Sequence, residues 1–412
     1  MIKTKRLVAL SISLIMTASL FTGCSTDGLV LTNAFGKSQE INSMQSQTDI
    51  SVKVSASKMS EQEQQMMSSM LPMINGASIS VSSKVNQNKE KTIGKMQSDI
   101  SLKSDQLPEP ISMSIWADTD MSGDKPVVNE VLKMPQLMTS QFPKELQGKD
   151  YMVMNLADMT SAPGMVQPNY DKLISFSKEF QPKFLDFIAK YSKQFNPTTD
   201  YIKRVGRQTF LEDNIMKSSD VYQVKLTDKS FKDLMHYTLN NLAGNADAMA
   251  FVKDYMLAIS SIYDINDAKN KTDQVEINKA FDNLTTELPQ KLADLNKALD
   301  SIEDLKILGD NGITINYTVN DDGYVIKEKG NAEFVVDLPS IMKLAGNTSA
   351  ATTPNDPTGI YTIGVSFNTD ITNINGDVKV VFPKVDSTNS FNYTDIMKLA
   401  SQELPAKEVP VK

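Results

Sequence analysis

The only cysteine of this 412-residue chain, Cys24, is the residue best placed for covalent chemistry. It directly follows a segment with the three-part layout of a secretory signal: a positively charged start at 1–6, an uncharged and mostly apolar stretch from Leu7 to Leu20, and small residues at Thr22–Gly23. Because the chain has no second cysteine, the Cys24 sulfur cannot form an internal disulfide. The sulfur is therefore free to carry a covalent group.

The residues around Cys24, Leu20-Phe21-Thr22-Gly23-Cys24, resemble the lipobox of bacterial lipoproteins. The resemblance implies diacylglyceryl transfer to the Cys24 sulfur, cleavage after Gly23 and acylation of the new amino terminus. Phe21 stands where the motif more often has Leu. The alternative is an ordinary secreted protein with a chance cysteine. The resemblance predicts attachment to the extracytoplasmic face of the cell membrane through N-terminal acyl chains.

The charge balance narrows the range of partners. With 42 basic and 50 acidic residues the chain has a net charge of −8, which argues against nucleic acid and against polybasic attraction to anionic lipids. No later stretch approaches the roughly 20 apolar residues of a membrane helix, so the acyl chains must supply the anchor. The lone histidine, His236, leaves few routes to a zinc site or a Cys/His nucleophile. We expect no cofactor.

Composition and periodicity predict an α+β protein divided along the chain. Residues 25–45 are rich in Ser, Thr, Asn, Gly and Gln, which favours a flexible tether, and period-two alternation marks strands on both sides of a helical middle. The predicted regions are a signal peptide at 1–23, a tether at 24–45, an N-terminal β region at 46–160, a mainly helical region at 161–308, a C-terminal β region at 309–398 and a disordered tail at 399–412.

The β regions carry clear strand and turn signals. Ile50, Val52 and Val54 alternate with polar residues, and the gaps between such runs are too short for helical crossovers, which predicts antiparallel pairing. Asn320-Asp321-Asp322-Gly323 between two alternating runs predicts a hairpin. The last predicted strands are Ile360–Phe367 and Val378–Phe382.

The helical middle contains an aromatic stripe at three- and four-residue steps. We expect this stripe to face the sheet and to border any ligand cavity, with Pro182 kinking or restarting the helix. The cavity candidates in the stripe are Phe176, Phe180, Phe184 and Phe187.

A methionine-rich segment supplies the other cavity candidates, Met66, Met70 and Met73, on one face of a short helix. Their spacing also matches thioether copper(I) sites, but no His or Cys joins them, so lining of a core or of an adaptable apolar groove is the favoured interpretation. The residues from Asp118 to Gly123 match the first half of a calcium-binding loop, but a hairpin turn is the favoured interpretation of this segment. We therefore predict no metal site.

The predicted order of elements resembles that of the LolA/LppX-type extracytoplasmic lipoproteins. It consists of a lipobox, a set of strands, an inserted helical layer and further strands. The local resemblance is carried by Val221–Thr227 running into a helix and by Gly148–Tyr151 entering a strand. It implies a curved antiparallel sheet, half-barrel-like, closed by helices over an apolar cavity that binds a lipid or a lipoprotein acyl chain. This chain is longer than those lipoproteins and its helical middle is larger than theirs. None of their functional residues can be assigned to a position in this sequence.

Two functions compete on this basis. The first is a non-catalytic, lipid-anchored lipoprotein that binds a lipid or other apolar ligand between sheet and helices. The second is a structural or protein-interaction lipoprotein of the cell envelope with a filled core. An enzyme ranks third, because the sequence has no Gly-x-Ser-x-Gly, no His-Glu-x-x-His and no glycine-rich phosphate loop. The sequence identifies no protein partner.

Overall fold

The structure, a computed structural model, describes residues 25–123, 127–140, 142–155, 170–197, 200–212, 215–262, 290–344, 358–396 and 399. Cys24, the predicted signal peptide, residues 263–289 of the predicted helical region and nearly all of the predicted tail lie outside these residues. The described part confirms the α+β class, with helices and a large, mostly antiparallel sheet.

The chain divides into two compact units. The first unit comprises Met1–Glu40, Ile50–Ala77 and Pro168–Asp370, and the second comprises Ile41–Asp49, Ser78–Gln167 and Ile371–Lys412. The principal helices of the first unit are α1 (Thr26–Lys37), α2 (Glu61–Asn75), α4 (Tyr170–Gln194), α5 (Asp228–Gly244), α6 (Ala246–Ile262), α7 (290–301) and α8 (Leu338–Leu344); the short α3 (Gln136–Thr139) belongs to the second unit.

Twelve strands are formed by the described residues. They are β1 (Ser43–Ser57), β2 (Ala77–Gln87), β3 (Ile93–Ser104), β4 (Ile111–Asp120), β5 (Val127–Lys133), β6 (Tyr151–Asn155), β7 (Ile202–Glu212), β8 (Ile215–Leu226), β9 (Leu308–Asn320), β10 (Val325–Asp337), β11 (Ile360–Thr372) and β12 (Ser390–Asn392).

The hydrogen-bonded strand order is β1-β11-β10-β9-β8-β7 in the first unit and β12-β6-β5-β4-β3-β2-β1 in the second. Tyr222 of β8 lies opposite Tyr317 of β9, and Trp116 of β4 lies opposite Val131 of β5. The pairing of β12 with β6 is parallel, whereas β3 to β6 and β7 to β11 form antiparallel ladders. The predicted antiparallel sheet is confirmed.

The predicted hairpin at 320–323 is confirmed. It joins β9 to β10, and the Asn320 side chain accepts a hydrogen bond from the Tyr324 backbone N–H at 2.8 Å. Gly323 has a φ of +84°, a left-handed conformation that a Cβ would strain. Local turn chemistry therefore sets this register.

The core of the first unit lies between one face of the sheet and the helices. Tyr222, Val224 and Leu226 of β8 are buried together with Tyr317 and Val319 of β9. Alternate residues of neighbouring strands share a face, so this pattern defines the apolar side of the sheet. The helices, together with Phe195 directly after α4, cover it; their buried residues include Leu31, Ala34, Tyr191, Leu234, Leu239, Leu242, Ala248 and Val252.

Polar contacts of Lys232 join the beginning and the end of the helical segment that connects β8 to β9. The buried Lys232 ammonium of α5 donates hydrogen bonds to the carbonyl oxygens of Glu303 and Leu305 at 2.6 and 2.8 Å, and lies 2.8 Å from Asp228. Burial opposes ionisation of Asp228, but hydrogen bonds from Lys232 and from the Leu308 backbone outweigh it and lower its pKa. These contacts fix the position of the chain at the start of β9.

The second unit has a smaller apolar centre. Trp116 and Val131 are buried, and the Tyr151 ring lies 6.4 Å from the Trp116 ring. Phe142 packs edge-to-face on Phe391 with their centroids 5.5 Å apart. Aromatic pairs in this arrangement add to the stability from burial.

Three regional expectations need correction. In place of a flexible tether at 24–45, Thr26–Lys37 form a helix with Leu31 and Ala34 buried, because tertiary packing outweighs the weak helix propensity of the segment. The mainly helical region also contains the β7–β8 hairpin. Val378–Phe382 form no strand; Val378 is buried and its carbonyl accepts a bond from Asn86 instead.

Among the described residues, no helix combines the length and apolarity needed to cross a membrane. In the same residues no group of His, Cys, Asp and Glu side chains is arranged to hold a metal ion.

Candidate functional site

The helix nearest to Cys24 is held firmly in the first unit. Ser25, the residue after Cys24, is the N-cap of α1, and its hydroxyl accepts a hydrogen bond from the Gly28 backbone N–H at 3.0 Å. Further along the helix, the Phe35 ring packs edge-to-face on Tyr317 with a centroid distance of 5.1 Å. Cys24 itself lies outside the described residues, but the chain immediately after it is structured.

The aromatic stripe lies on α4, which runs through Pro182 from Tyr170 to Gln194. Its rings stack in sequence: Phe176 on Phe180 at 4.9 Å and Phe180 on Phe184 at 6.4 Å. Helical spacing of three and four residues places these side chains on one face. The predicted stripe is thus a continuous row of rings.

The partner of this row is helix α6 rather than the sheet. Phe251 of α6 lies 5.3 Å from Phe180 and 4.3 Å from Phe187, and Tyr255 lies 5.2 Å from Phe180. At the edge of the helix pair, Lys183 forms an ion pair with Asp254 at 3.4 Å. The expectation that the stripe faces the sheet holds best for its C-terminal end, where Phe187, Tyr191 and Phe195 join the core of the first unit.

Burial changes along the row. Phe187 is 4% exposed, and Tyr191 and Phe195 are fully buried. Phe180 and Phe184 are only partly buried, as are the neighbouring rings Phe176 and Tyr255. We call Phe176, Phe180, Phe184 and Tyr255 the half-buried row. A contiguous apolar surface of this kind is where a ligand or partner can gain most from contact.

The methionine candidates do not join the aromatic row. Met66, Met70 and Met73 lie on α2 with 57%, 41% and 50% of their surface exposed, and α2 has no buried residue. At the C-terminal end of α2, the Asn75 side chain exchanges two hydrogen bonds with the Val54 backbone. Among the described residues, the cavity candidates therefore form two separate groups.

A carboxylate that the sequence analysis did not single out fixes the start of α2. Glu63 accepts hydrogen bonds from Ser60 and from the backbone N–H groups of Thr358 and Gly359, at 2.8 to 3.2 Å, and from the Tyr361 hydroxyl at 2.9 Å. Burial opposes its ionisation, but these bonds outweigh it and lower the pKa of Glu63 to about 2. The pattern Ser60-x-x-Glu63 is a capping box, a signal readable from sequence.

His236 has polar neighbours on the described helices. Its Nδ1 lies 2.9 Å from Asn296 Oδ1, and its Nε2 lies 3.6 Å from Asp300 Oδ1. Both partners are on α7, so His236 links α5 to α7.

The described surface of each unit carries an open groove. The groove in the first unit has about 570 Å³ and a mixed polar and apolar lining that includes Val52, Asn75, Asn311, Asn331, Glu333 and Ser366. The groove in the second unit has about 1050 Å³ and is lined in part by Leu107, Pro110, Met134, Pro135, Leu137 and Gly148. Neither groove is lined by the predicted cavity residues.

Comparison of the chain with known protein families, with curated proteins and with solved structures finds no match. The resemblance to LolA/LppX-type lipoproteins therefore stays a prediction.

Proposed function

We propose that this protein is a lipid-anchored, extracytoplasmic lipoprotein that acts by binding rather than by catalysis. The proposal of an anchor rests on the lipobox-like sequence that ends at Cys24. It is supported by the position of Cys24 directly before a capped helix that belongs to the folded first unit. Acyl chains on Cys24 would hold the protein at the membrane surface.

The ligand that fits best is a lipid or another apolar molecule bound on the half-buried row. This proposal depends on one observation: four contiguous aromatic rings on α4 and α6 keep part of their surface exposed while the rings beyond them are buried. Aromatic and apolar side chains dominate the lining of small-molecule sites. An acyl chain lying along Phe176, Phe180 and Phe184 would cover that surface.

A structural or protein-interaction role is the second candidate, and a specific observation favours it. Phe187 and Phe251 stack at 4.3 Å with an 11° angle between ring planes, so the inner end of the row is filled by its own side chains. In this role the half-buried row would be covered by a protein partner instead of a lipid.

The anchor is tested by replacing Cys24. Cells expressing the wild-type chain, Cys24→Ala and Ser25→Ala are fed a clickable fatty acid, and the purified chains are examined for label and by mass spectrometry. We expect label on the wild type and on Ser25→Ala, which keeps the thiol, and none on Cys24→Ala. An unmodified, processed Cys24 in the wild type would overturn the proposed anchor.

The ligand is tested by solvent extraction of the purified full-length protein followed by lipid analysis. We expect non-covalently bound acyl lipid from the wild type and less from Phe180→Ala. The matched control is Phe334→Ala, which removes a ring that is 38% exposed on β10, outside the row. Extracts of the wild type that contain no lipid would favour the structural role.

A further inference from the structure

The outward face of α1 presents two apolar side chains, Leu29 and Val30, between the exposed polar residues Thr26 and Asn33. Leu29 and Val30 are adjacent and each is 37% exposed, whereas Leu31 and Ala34 on the inner face are buried. The exposed pair thus lies on the side of the helix that the first unit leaves uncovered.

This exposed pair is close to Cys24 in covalent terms. Consecutive Cα atoms are about 3.8 Å apart, and Ser25 alone separates Cys24 from the first helical residue. Leu29 and Val30 follow within the first five residues of α1, which at about 1.5 Å per residue is a rise of roughly 7 Å. Acyl chains on Cys24 would therefore bring the bilayer within reach of both side chains.

Helix α1 is also fixed in direction. Its inner face contributes Leu31 and Ala34 to the core, and the Asp27 carboxylate accepts a hydrogen bond from the Arg204 backbone N–H of β7 at 2.7 Å. A flexible linker would let a domain turn freely above the membrane, but none intervenes here. An anchor at Cys24 would set the orientation of the whole first unit.

We propose that Leu29 and Val30 insert into the bilayer interface beside the acylated Cys24, so that α1 lies against the membrane. The inference rests on the proposed lipid anchor. The occupant of this face is the bilayer rather than a protein, because the acyl chains place lipid headgroups next to it. Apolar side chains of interfacial helices enter the headgroup region to a depth of about 5–10 Å.

The single cysteine makes the test direct. In the acylated full-length chain Cys24 is modified, so a cysteine introduced by Leu29→Cys or Val30→Cys is the one thiol open to a fluorescent label. The labelled proteins are reconstituted into phosphatidylethanolamine–phosphatidylglycerol vesicles with and without brominated lipids, which quench fluorescence only at close range. We expect clear quenching at positions 29 and 30.

The matched control is Met66→Cys, at an exposed apolar side chain of α2. Helix α2 is bonded to β1 and β11, and five strand spacings separate β1 from β7, or about 24 Å. We expect labels at 29 and 30 to be quenched at least about twofold more than the label at 66, given the depth of interfacial insertion. Equal quenching at the three positions would overturn the inference.

Sedimentation with vesicles and the mass of the Cys24 peptide are measured on the same samples. A protein that lacks acyl chains and stays in the supernatant contradicts the proposed anchor. A protein that is acylated and sediments, but shows equal quenching, contradicts only the placement of Leu29 and Val30. The two failures are therefore distinguishable.

Discussion

The Asp27 carboxylate accepts a hydrogen bond from the backbone N–H of Arg204 at a distance of 2.7 Å, which joins the first turn of α1 to β7. Strand β7 is an edge of the sheet, and unpaired N–H groups along an edge invite pairing with other chains. The Arg204 side chain turns away to Asp220, with a 2.6 Å contact. One carboxylate thus both positions α1 and covers part of an exposed edge.

The first prediction concerns this contact. Asp27→Ala should lower the free energy of unfolding by about 1–2 kcal/mol, because the bond is to a charged acceptor. Asp27→Asn keeps an acceptor and should lose less. Urea-unfolding midpoints check both, with Glu40→Ala, an exposed residue just beyond α1, as the control. Equal midpoints for Asp27→Ala and wild type would contradict the contact.

The second prediction concerns the pH dependence of stability at Glu63. Its pKa is lowered from 4.5 to about 2 in the folded protein, so the bonds of the carboxylate stabilise the fold fully above about pH 4.5. That contribution should be lost as the pH falls from 4.5 towards 2. The stability difference between the wild type and Glu63→Gln should therefore shrink over this range, as measured by urea unfolding at several pH values.

Glu61→Gln is the matched control for Glu63, since Glu61 is an exposed carboxylate in the same helical turn. At neutral pH, Glu61→Gln should lower the stability less than Glu63→Gln does, because it leaves the bonds of Glu63 to Thr358 and Tyr361 in place. A difference for Glu63→Gln that grows on acidification would contradict the sign derived from the lowered pKa.

The third prediction compares the two ends of the aromatic row. Phe187→Ala should destabilise the protein by about 3–5 kcal/mol, because it opens a cavity at a buried ring stacked on Phe251. Phe176→Ala should cost about 1–2 kcal/mol, because a partly exposed ring removes less apolar area from water. Thermal and urea unfolding measure both. Similar losses at the two positions would contradict the gradient of burial along α4.

The fourth prediction concerns two glycines in strands. Gly312 has a φ of +58°, and a Cβ there would lie 2.1 Å from the Leu226 carbonyl oxygen. Gly312→Ala should destabilise the protein by at least about 1–3 kcal/mol. At Gly206 a Cβ meets open space, so Gly206→Ala should change stability by no more than about 0.5 kcal/mol. A larger loss of stability for Gly206→Ala than for Gly312→Ala would contradict the close approach of Gly312 in β9 to Leu226 in β8.

Local patterns predicted much of the fold. Alternation predicted the strands now seen in β1, β9, β10 and β11, and the turn signal at 320–323 predicted the hairpin between β9 and β10. Helix α1 was missed because a composition rich in Ser, Thr, Asn and Gly resembles a linker. The sequence features that indicate α1 are the N-cap residue Ser25 and the helical spacing of Leu31, Ala34 and Phe35. A short strand over Val221–Leu226 was predicted and lies in β8, but its hairpin partner β7 was missed because β7 alternates weakly between helical segments.

The candidate site was predicted in part. Periodicity alone placed the phenylalanines of α4 on one face, but it could not choose between α6 and the sheet as their partner, since that choice depends on tertiary packing. The same limit applies to Glu63. Its capping box is local, whereas its bonds to Thr358 and Tyr361 join residues about 300 positions apart in the chain.

The firm seating of α1 has a mechanical consequence. A force applied to the chain before Ser25 is transmitted to the rest of the protein through α1. This helix is held by a few buried side chains and the Asp27 contact rather than by the hydrogen bonds of a strand ladder. Helix α1 should therefore detach under load before the sheet unzips. Released and extended, residues 25–40 would span about 50 Å. The segment would then serve as a spacer that appears only under tension and refolds when the tension ends.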